Sequence, residues 1–282
     1  MSDEKNLTVW DHLDELRDVI VKSLAVTVVF GIVAFFFRDQ VFAVILAPRD
    51  SGFVTYRWLS ALGGIFSQGG MEQFDVRLIN TGLAQQFMIH VKMSFAVGVL
   101  LASPYILYQL FRYVSPALYA DERQYATKVV GGGYLMFMIG VAVSYLLVFP
   151  LTFRFLGTYQ VNAEVENMIN LQSYISTLLT MSLAMGIVFE IPVLCWLFAK
   201  LGFLTDGFMR RYRRHAIVLI LIVAAVITPT SDVFTLSVVA LPMYLLYEFS
   251  ILLVRRSTPC KSGETDANNE DSGLTLLKLK RE

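Results

Sequence analysis

The sequence predicts an all-α integral membrane protein with six transmembrane helices. Three observations carry that expectation. The chain is 56% hydrophobic and only 16% charged over its 282 residues, where a soluble domain carries roughly a quarter of its residues charged. Its apolar residues fall in long, nearly uncharged runs, most of them near the ~20 residues a bilayer-crossing helix needs. Its basic residues are segregated, with Arg210, Arg211, Arg213 and Arg214 crowded into one short connection. Lys+Arg and Asp+Glu both number 23, so no overall field points to nucleic acid.

Residues 1–18 are polar and mixed in charge, with no short apolar stretch ending in a small-residue cleavage site, so no removable signal peptide is expected. Thr8 is placed to cap a helix that carries Trp10, Leu13, Leu16 and Ile20 on one face. This predicts an amphipathic N-terminal helix at the membrane interface, leading into span 1 at about 19–37. Residues 38–86 form a long connection whose apolar pieces, 41–46 and 58–66, predict short helices in a structured far-side cap. Span 2 covers about 87–111 and carries Pro104, a kink position. A charged connection follows, Ser115-Pro116-Ala117-Leu118-Tyr119-Ala120-Asp121-Glu122-Arg123. Its acids and arginine must sit in water or among head groups.

Span 3 covers about 128–149, with Gly131-Gly132-Gly133 allowing close helix contact and Pro150 ending it. Span 4 covers about 171–201 and holds Glu190 and Pro192. Span 5, about 216–228, is short, near 20 Å of helix at ~1.5 Å per residue. Pro229, Thr230, Ser231 and Asp232 turn the chain into span 6, about 233–254. Residues 1–256 thus read as a single membrane domain, and 257–282 as a disordered cytoplasmic tail. Six spans put both termini on one side. The arginine cluster, with Arg112, Arg123, Arg255 and Arg256, assigns that side to the cytoplasm.

Glu190 stands among Met185-Gly186-Ile187-Val188-Phe189 and Ile191-Pro192-Val193-Leu194. A charged acid facing lipid at that depth costs about 3 kcal/mol. It must therefore face protein or water, or be protonated. Pro192 leaves the Val188 carbonyl one turn back without its usual donor. A proton relay, a site for a polar group of a partner helix, and a neutral acid bonded to a neighbouring span all fit. Phosphate-binding glycine loops, zinc helices and nucleophile elbows are missing from the sequence. His12, His90 and His215 lie far apart, and Cys195 and Cys260 make no disulfide framework. No catalytic set, metal or cofactor is expected.

Three stretches, with a weaker fourth, resemble one family. His12-Leu13-Asp14-Glu15-Leu16-Arg17 is similar to a His-Leu-x-Glu-Leu-Arg motif before span 1. Pro104, Tyr108-Gln109 and the run from Ser115 to Arg123 resemble a Pro-x-x-Leu-Tyr-Gln … Pro-x-Leu-Tyr-x-x-Glu-Arg pattern. Phe189-Glu190-Ile191-Pro192 is like a Phe-Glu-x-Pro motif in span 4, and Ile227 to Asp232 is the weaker match. The family is TatC, the multi-spanning receptor of the twin-arginine translocase. The resemblance covers about residues 10–255 and departs from the family at an insertion near 51–70.

The resemblance implies a receptor in the bacterial inner membrane that binds paired-arginine signal peptides. It implies export of folded cargo proteins on the proton gradient, in a multi-copy complex with the single-span subunits TatA and TatB. Glu15 and Glu122 would engage the arginine pair, with Arg17 beside Glu15, and Pro116, Leu118, Tyr119 and Arg123 shaping the site. Glu190 and Pro192 would form the intramembrane site near which partner spans pack, with Pro229 and Asp232 in a far-side loop. The alternative from the residues alone is a proton-coupled small-solute transporter with Glu190 as relay. Such a protein usually places polar residues at mid-membrane on several spans.

Overall fold

Helix accounts for most of the described residues in the computed structural model, which describes residues 9–61, 77–114, 126–159, 162, 167–200, 202–228 and 232–257. α1 (Val9–Phe36) is one unbroken helix of 28 residues. At ~1.5 Å per residue it runs about 42 Å, longer than the ~30 Å hydrocarbon core. No glycine or proline separates its amphipathic first turns from its apolar part, so the expected interfacial helix and span 1 are a single rod. Thr8 lies outside the described residues.

α2 (Arg38–Leu46), a 3-10 turn (Ala47–Arg49) and α3 (Val54–Ala61) follow. α4 (Gln85–Val114) keeps Pro104 inside it. α5 (Ala126–Val143) passes through a π turn (Ser144–Val148) into α6 (Phe149–Thr158). α7 (Leu171–Val188) and α8 (Ile191–Lys200) share one span. α9 (Asp206–Arg211), α10 (Arg213–Ile227) and α11 (Val233–Ser257) complete the chain. Two short strands, β1 (Leu78–Ile79) and β2 (Ile169–Asn170), pair in parallel and tie the connections leading into α4 and α7.

Among the described residues, five helical stretches are long and apolar enough to cross a membrane: Leu13–Phe36, Gln85–Tyr113, Val129–Thr158, Leu171–Lys200 and Val233–Arg256. α10 has only 15 residues, about 22 Å of helix. It begins at Arg213, set off from α9 at Tyr212. Ile89, Met93, Phe149, Ile175, Met181 and Met185 are fully buried and hold the bundle together, while Leu24, Val28, Val29 and Ile32 of α1 stay exposed. An apolar outer face beside a packed interior suits a bundle whose solvent is lipid.

Pro150 does not end span 3, contrary to the expectation from sequence. Its ring removes the N–H that would serve the Leu146 carbonyl four residues back. The π turn widens the helix just before it. The orphaned Leu146 carbonyl accepts a hydrogen bond from the Thr55 hydroxyl of α3 instead. The Tyr56 hydroxyl donates to the carbonyls of Pro48 at 3.2 Å and Pro150 at 3.1 Å. Burial pushes its pKa up to about 12, so it stays a donor at any physiological pH. α3 thus supplies the hydrogen bonds that let the helix run on through the proline. Thr55→Val is expected to cost about 1 kcal/mol, read as a lower melting temperature in detergent. An unchanged melt would show that the carbonyl finds another donor.

The expectation that residues 131–133 permit close helix contact is also revised. Side chains added at Gly131 and Gly132 would meet nothing within 4 Å, and only Gly133 faces another span. The tight crossings lie elsewhere. A Cβ at Gly98 of α4 would sit 2.7 Å from the Thr27 carbonyl oxygen and the Gly31 nitrogen of α1. One at Gly140 of α5 would sit 2.7 Å from the Met185 carbonyl oxygen of α7.

Candidate functional site

Span 4 breaks where the sequence places its acid. Phe189 and Glu190 form a turn between α7 and α8. The Glu190 N–H donates to the Ile187 carbonyl at 3.1 Å, and its carbonyl accepts from Leu194 N–H at 3.0 Å. Pro192, buried in the first turn of α8, lacks the N–H that would continue the ladder to Val188. The break places Glu190 on the wall of a cavity of about 450 Å³ bounded by α4, α5 and α8.

The cavity walls are apolar, built from Val99, Ile106, Leu110, Phe137, Val193 and Leu197 among others. Ser103 also lines it, but its hydroxyl already donates to the Leu100 carbonyl at 2.7 Å. Glu190 Oε1 is buried and has no hydrogen-bond partner. Gly133 lies directly opposite, since a Cβ there would stand 3.0 Å from Oε2. A glycine at 133 is what leaves room for the carboxyl group. Sequence reasoning missed this pairing, because nothing in a run of three glycines tells which one faces a distant acid.

The carboxyl can accept a hydrogen bond, or donate one when protonated, to a polar group brought into this apolar space. Left unmet, it is a net cost to the fold. Glu190→Leu is therefore expected to raise the thermal stability of the purified protein by about 1–2 kcal/mol while lowering its activity in cells. A destabilised leucine variant would instead make the carboxyl a structural group.

Glu15 is half-buried and Arg17 exposed on the early turns of α1. α1 and α4 pack antiparallel, with Gly31 against Gly98 and the Phe35 ring stacked on His90 at 4.0 Å. That register sets the first turns of α1 level with the last turns of α4. There Gln109 is buried and donates to the Tyr105 hydroxyl at 2.7 Å, while Tyr108 is exposed. The connection that starts at this point carries Pro116, Leu118, Tyr119, Glu122 and Arg123, all outside the described residues. Its two flanking helices, α4 and α5, are two walls of the Glu190 cavity. Pro229 also lies outside the described residues. Asp232 is an N-cap: its carboxylate accepts from Thr235 N–H at 2.7 Å and its carbonyl from Leu236 N–H at 3.1 Å, opening α11. Among the described residues no group of His, Cys, Asp and Glu side chains is arranged to hold a metal ion.

The family described as Sec-independent protein translocase protein (TatC) matches residues 11–242. That range takes in every candidate site residue. The chain belongs to the TatC family. A TatC protein of Blattabacterium is 31% identical over 259 residues, covering 90% of this chain and 97% of the relative. The TatC protein of Deinococcus radiodurans is 34% identical, covering 88% and 85%. The fold agrees as well. A crystal structure of the twin-arginine translocase receptor TatC superposes with a TM-score of 0.71 at 32% identity, over 88% of this chain and all of that one. TatC membership places this protein on the Sec-independent protein translocation route, as a multi-pass membrane protein. TatC is a translocase family rather than an enzyme family.

Proposed function

We propose that this TatC protein is the core receptor of a twin-arginine translocase, binding paired-arginine signal peptides at one membrane face. α10 serves as the sixth, short span, both termini are cytoplasmic, and the membrane is the bacterial inner membrane. Glu15 and Glu122 take the two guanidinium groups. Arg17, Pro116, Leu118, Tyr119 and Arg123 shape the surrounding surface. Single-span subunits of the TatA and TatB kind assemble with it, with Glu190 and Pro192 forming their polar contact within the bilayer. Folded cargo crosses on the proton gradient.

The observation that carries this reading is the antiparallel register of α1 and α4. It puts the early turns that hold Glu15 beside the point where the 115–125 connection leaves α4. Two carboxylates on adjoining segments suit a pair of guanidiniums. Arginine is always charged and presents a planar fork to a carboxylate, whereas lysine is a point charge. A solute transporter would need polar groups through the membrane interior, but the cavity beside Glu190 is apolar.

The test is binding of an Arg-Arg signal peptide to the purified protein in detergent, against its Lys-Lys twin. The expected result is roughly tenfold or greater preference for arginine. Equal binding of the two peptides would remove the paired-carboxylate site.

A further inference from the structure

One end of the bundle is a collar of cations. Lys200 closes α8, Arg210 and Arg211 close α9, Arg213 and Arg214 open α10, and Arg255 and Arg256 stand in the last turn of α11. All seven are exposed. Two acids meet them: Asp206 lies 4.0 Å from Arg210, and Glu248 lies 2.8 Å from Arg213. The second oxygen of Glu248 accepts from the Tyr244 hydroxyl at 3.0 Å, so that carboxylate is fully engaged. Arg211, Arg214, Arg255 and Arg256 have no acidic partner among the described residues.

The collar is fixed in place, not a loose run of charge. The Tyr247 hydroxyl donates to the Met209 carbonyl at 2.8 Å, and Met209 is buried with Ile251 and Val254. α9 is thereby docked on the last turns of α11, and the arginines of both helices share one end of the bundle. Aromatic rings border them. Phe203 is 79% exposed and Phe208 53% exposed. Phe208 packs on Tyr212 with ring centroids 4.6 Å apart. Gly202, at φ +77°, makes the reversal that presents Phe203. Exposed rings beside unpaired cations at the ends of apolar spans are the composition of a bilayer interface.

We propose that this collar binds the head group of an anionic phospholipid. Arg211, Arg214, Arg255 and Arg256 engage the phosphate and the net negative charge, and Phe203, Phe208 and Tyr212 sit at the acyl boundary. Guanidinium forks match phosphate oxygens, and the rings suit the level where head group meets chain. The inference is independent of signal-peptide binding and of which side of the membrane the collar faces.

The experiment measures lipid retained by the purified full-length chain, by native mass spectrometry from uncharged mixed micelles. The lipids compared are dioleoyl phosphatidylglycerol and dioleoyl phosphatidylcholine. The expected result is at least roughly tenfold preferential retention of phosphatidylglycerol that falls as salt rises. Each arginine near an anionic surface is worth roughly fivefold, so Arg211→Gln with Arg214→Gln should weaken retention about 25-fold. Arg38→Gln, at the opposite end of the bundle, should leave it unchanged. Equal retention of the two lipids, or retention indifferent to salt in the unmutated protein, overturns the proposal, and that salt arm does not depend on any variant folding. Full displacement by inorganic phosphate would make it a phosphate site rather than a lipid site. Residues 264–271 carry Glu264, Asp266, Glu270 and Asp271 and no base. If phosphatidylglycerol binds only after those four acids are neutralised to amides, the occupant is the chain's own tail and the lipid assignment fails.

Discussion

An Arg-Arg signal peptide is expected to bind the Glu122→Gln variant roughly 30- to 150-fold more weakly than the unmutated chain, a loss of about 2–3 kcal/mol. Glutamine keeps the length of the side chain and one acceptor oxygen. It loses the charge and the second equivalent oxygen, which together make a carboxylate the match for a guanidinium fork. The preference for Arg-Arg over Lys-Lys should collapse in the same variant, because it rests on that geometry. Glu15→Gln should weaken binding in the same direction. The double variant should fall short of the product of the two effects if both acids serve one bound peptide. The measurement is a titration of labelled peptide at fixed ionic strength, since charge pairs of this kind weaken with salt. Unaltered affinity in both single variants would end the assignment of these carboxylates, while leaving family membership intact.

Gly98→Val is expected to destabilise the protein by about 3 kcal/mol or more, enough to remove most folded material from the membrane. The atoms a Cβ would strike are the Thr27 carbonyl oxygen and the Gly31 nitrogen, both at 2.7 Å, and the Gly31 Cα at 2.9 Å. These are backbone atoms of a helix, so no side chain can rotate away. α1 would have to separate from α4, along which it packs for much of its length. Small residues at such crossings let helices approach where no hydrophobic force draws them together. Gly131→Ala is the matched control. That position faces open space, and alanine is the better helix former, so the variant should gain up to about 1 kcal/mol. Melting temperature and yield of monodisperse protein would read both. A folded, stable Gly98→Val chain would show that the α1–α4 crossing is not as close as 2.7 Å implies.

Which stretches are helical and apolar can be read from the chain, because those properties are local. A run of ~20 apolar residues has to bury its backbone in a helix wherever lipid is the solvent. The acid at 190, the proline at 192 and the arginine cluster were all legible for the same reason: charge and missing N–H groups have a cost at a given depth whatever surrounds them. Facing was not legible. A helix that is apolar on all sides has little amphipathic stripe to say which side meets protein. Hence Gly133 rather than Gly131 or Gly132 faces Glu190, and the tight contacts fell at Gly98 and Gly140. Pro150 shows the same divide. Its missing N–H could be read from the chain, but the Thr55 hydroxyl that replaces it comes from a helix 91 residues before Leu146. Tertiary contacts set the opening of span 4 onto a cavity and the shared surface of the cations of α9 and α11. Each depends on contacts between segments distant in sequence, and packing rather than composition selects among them.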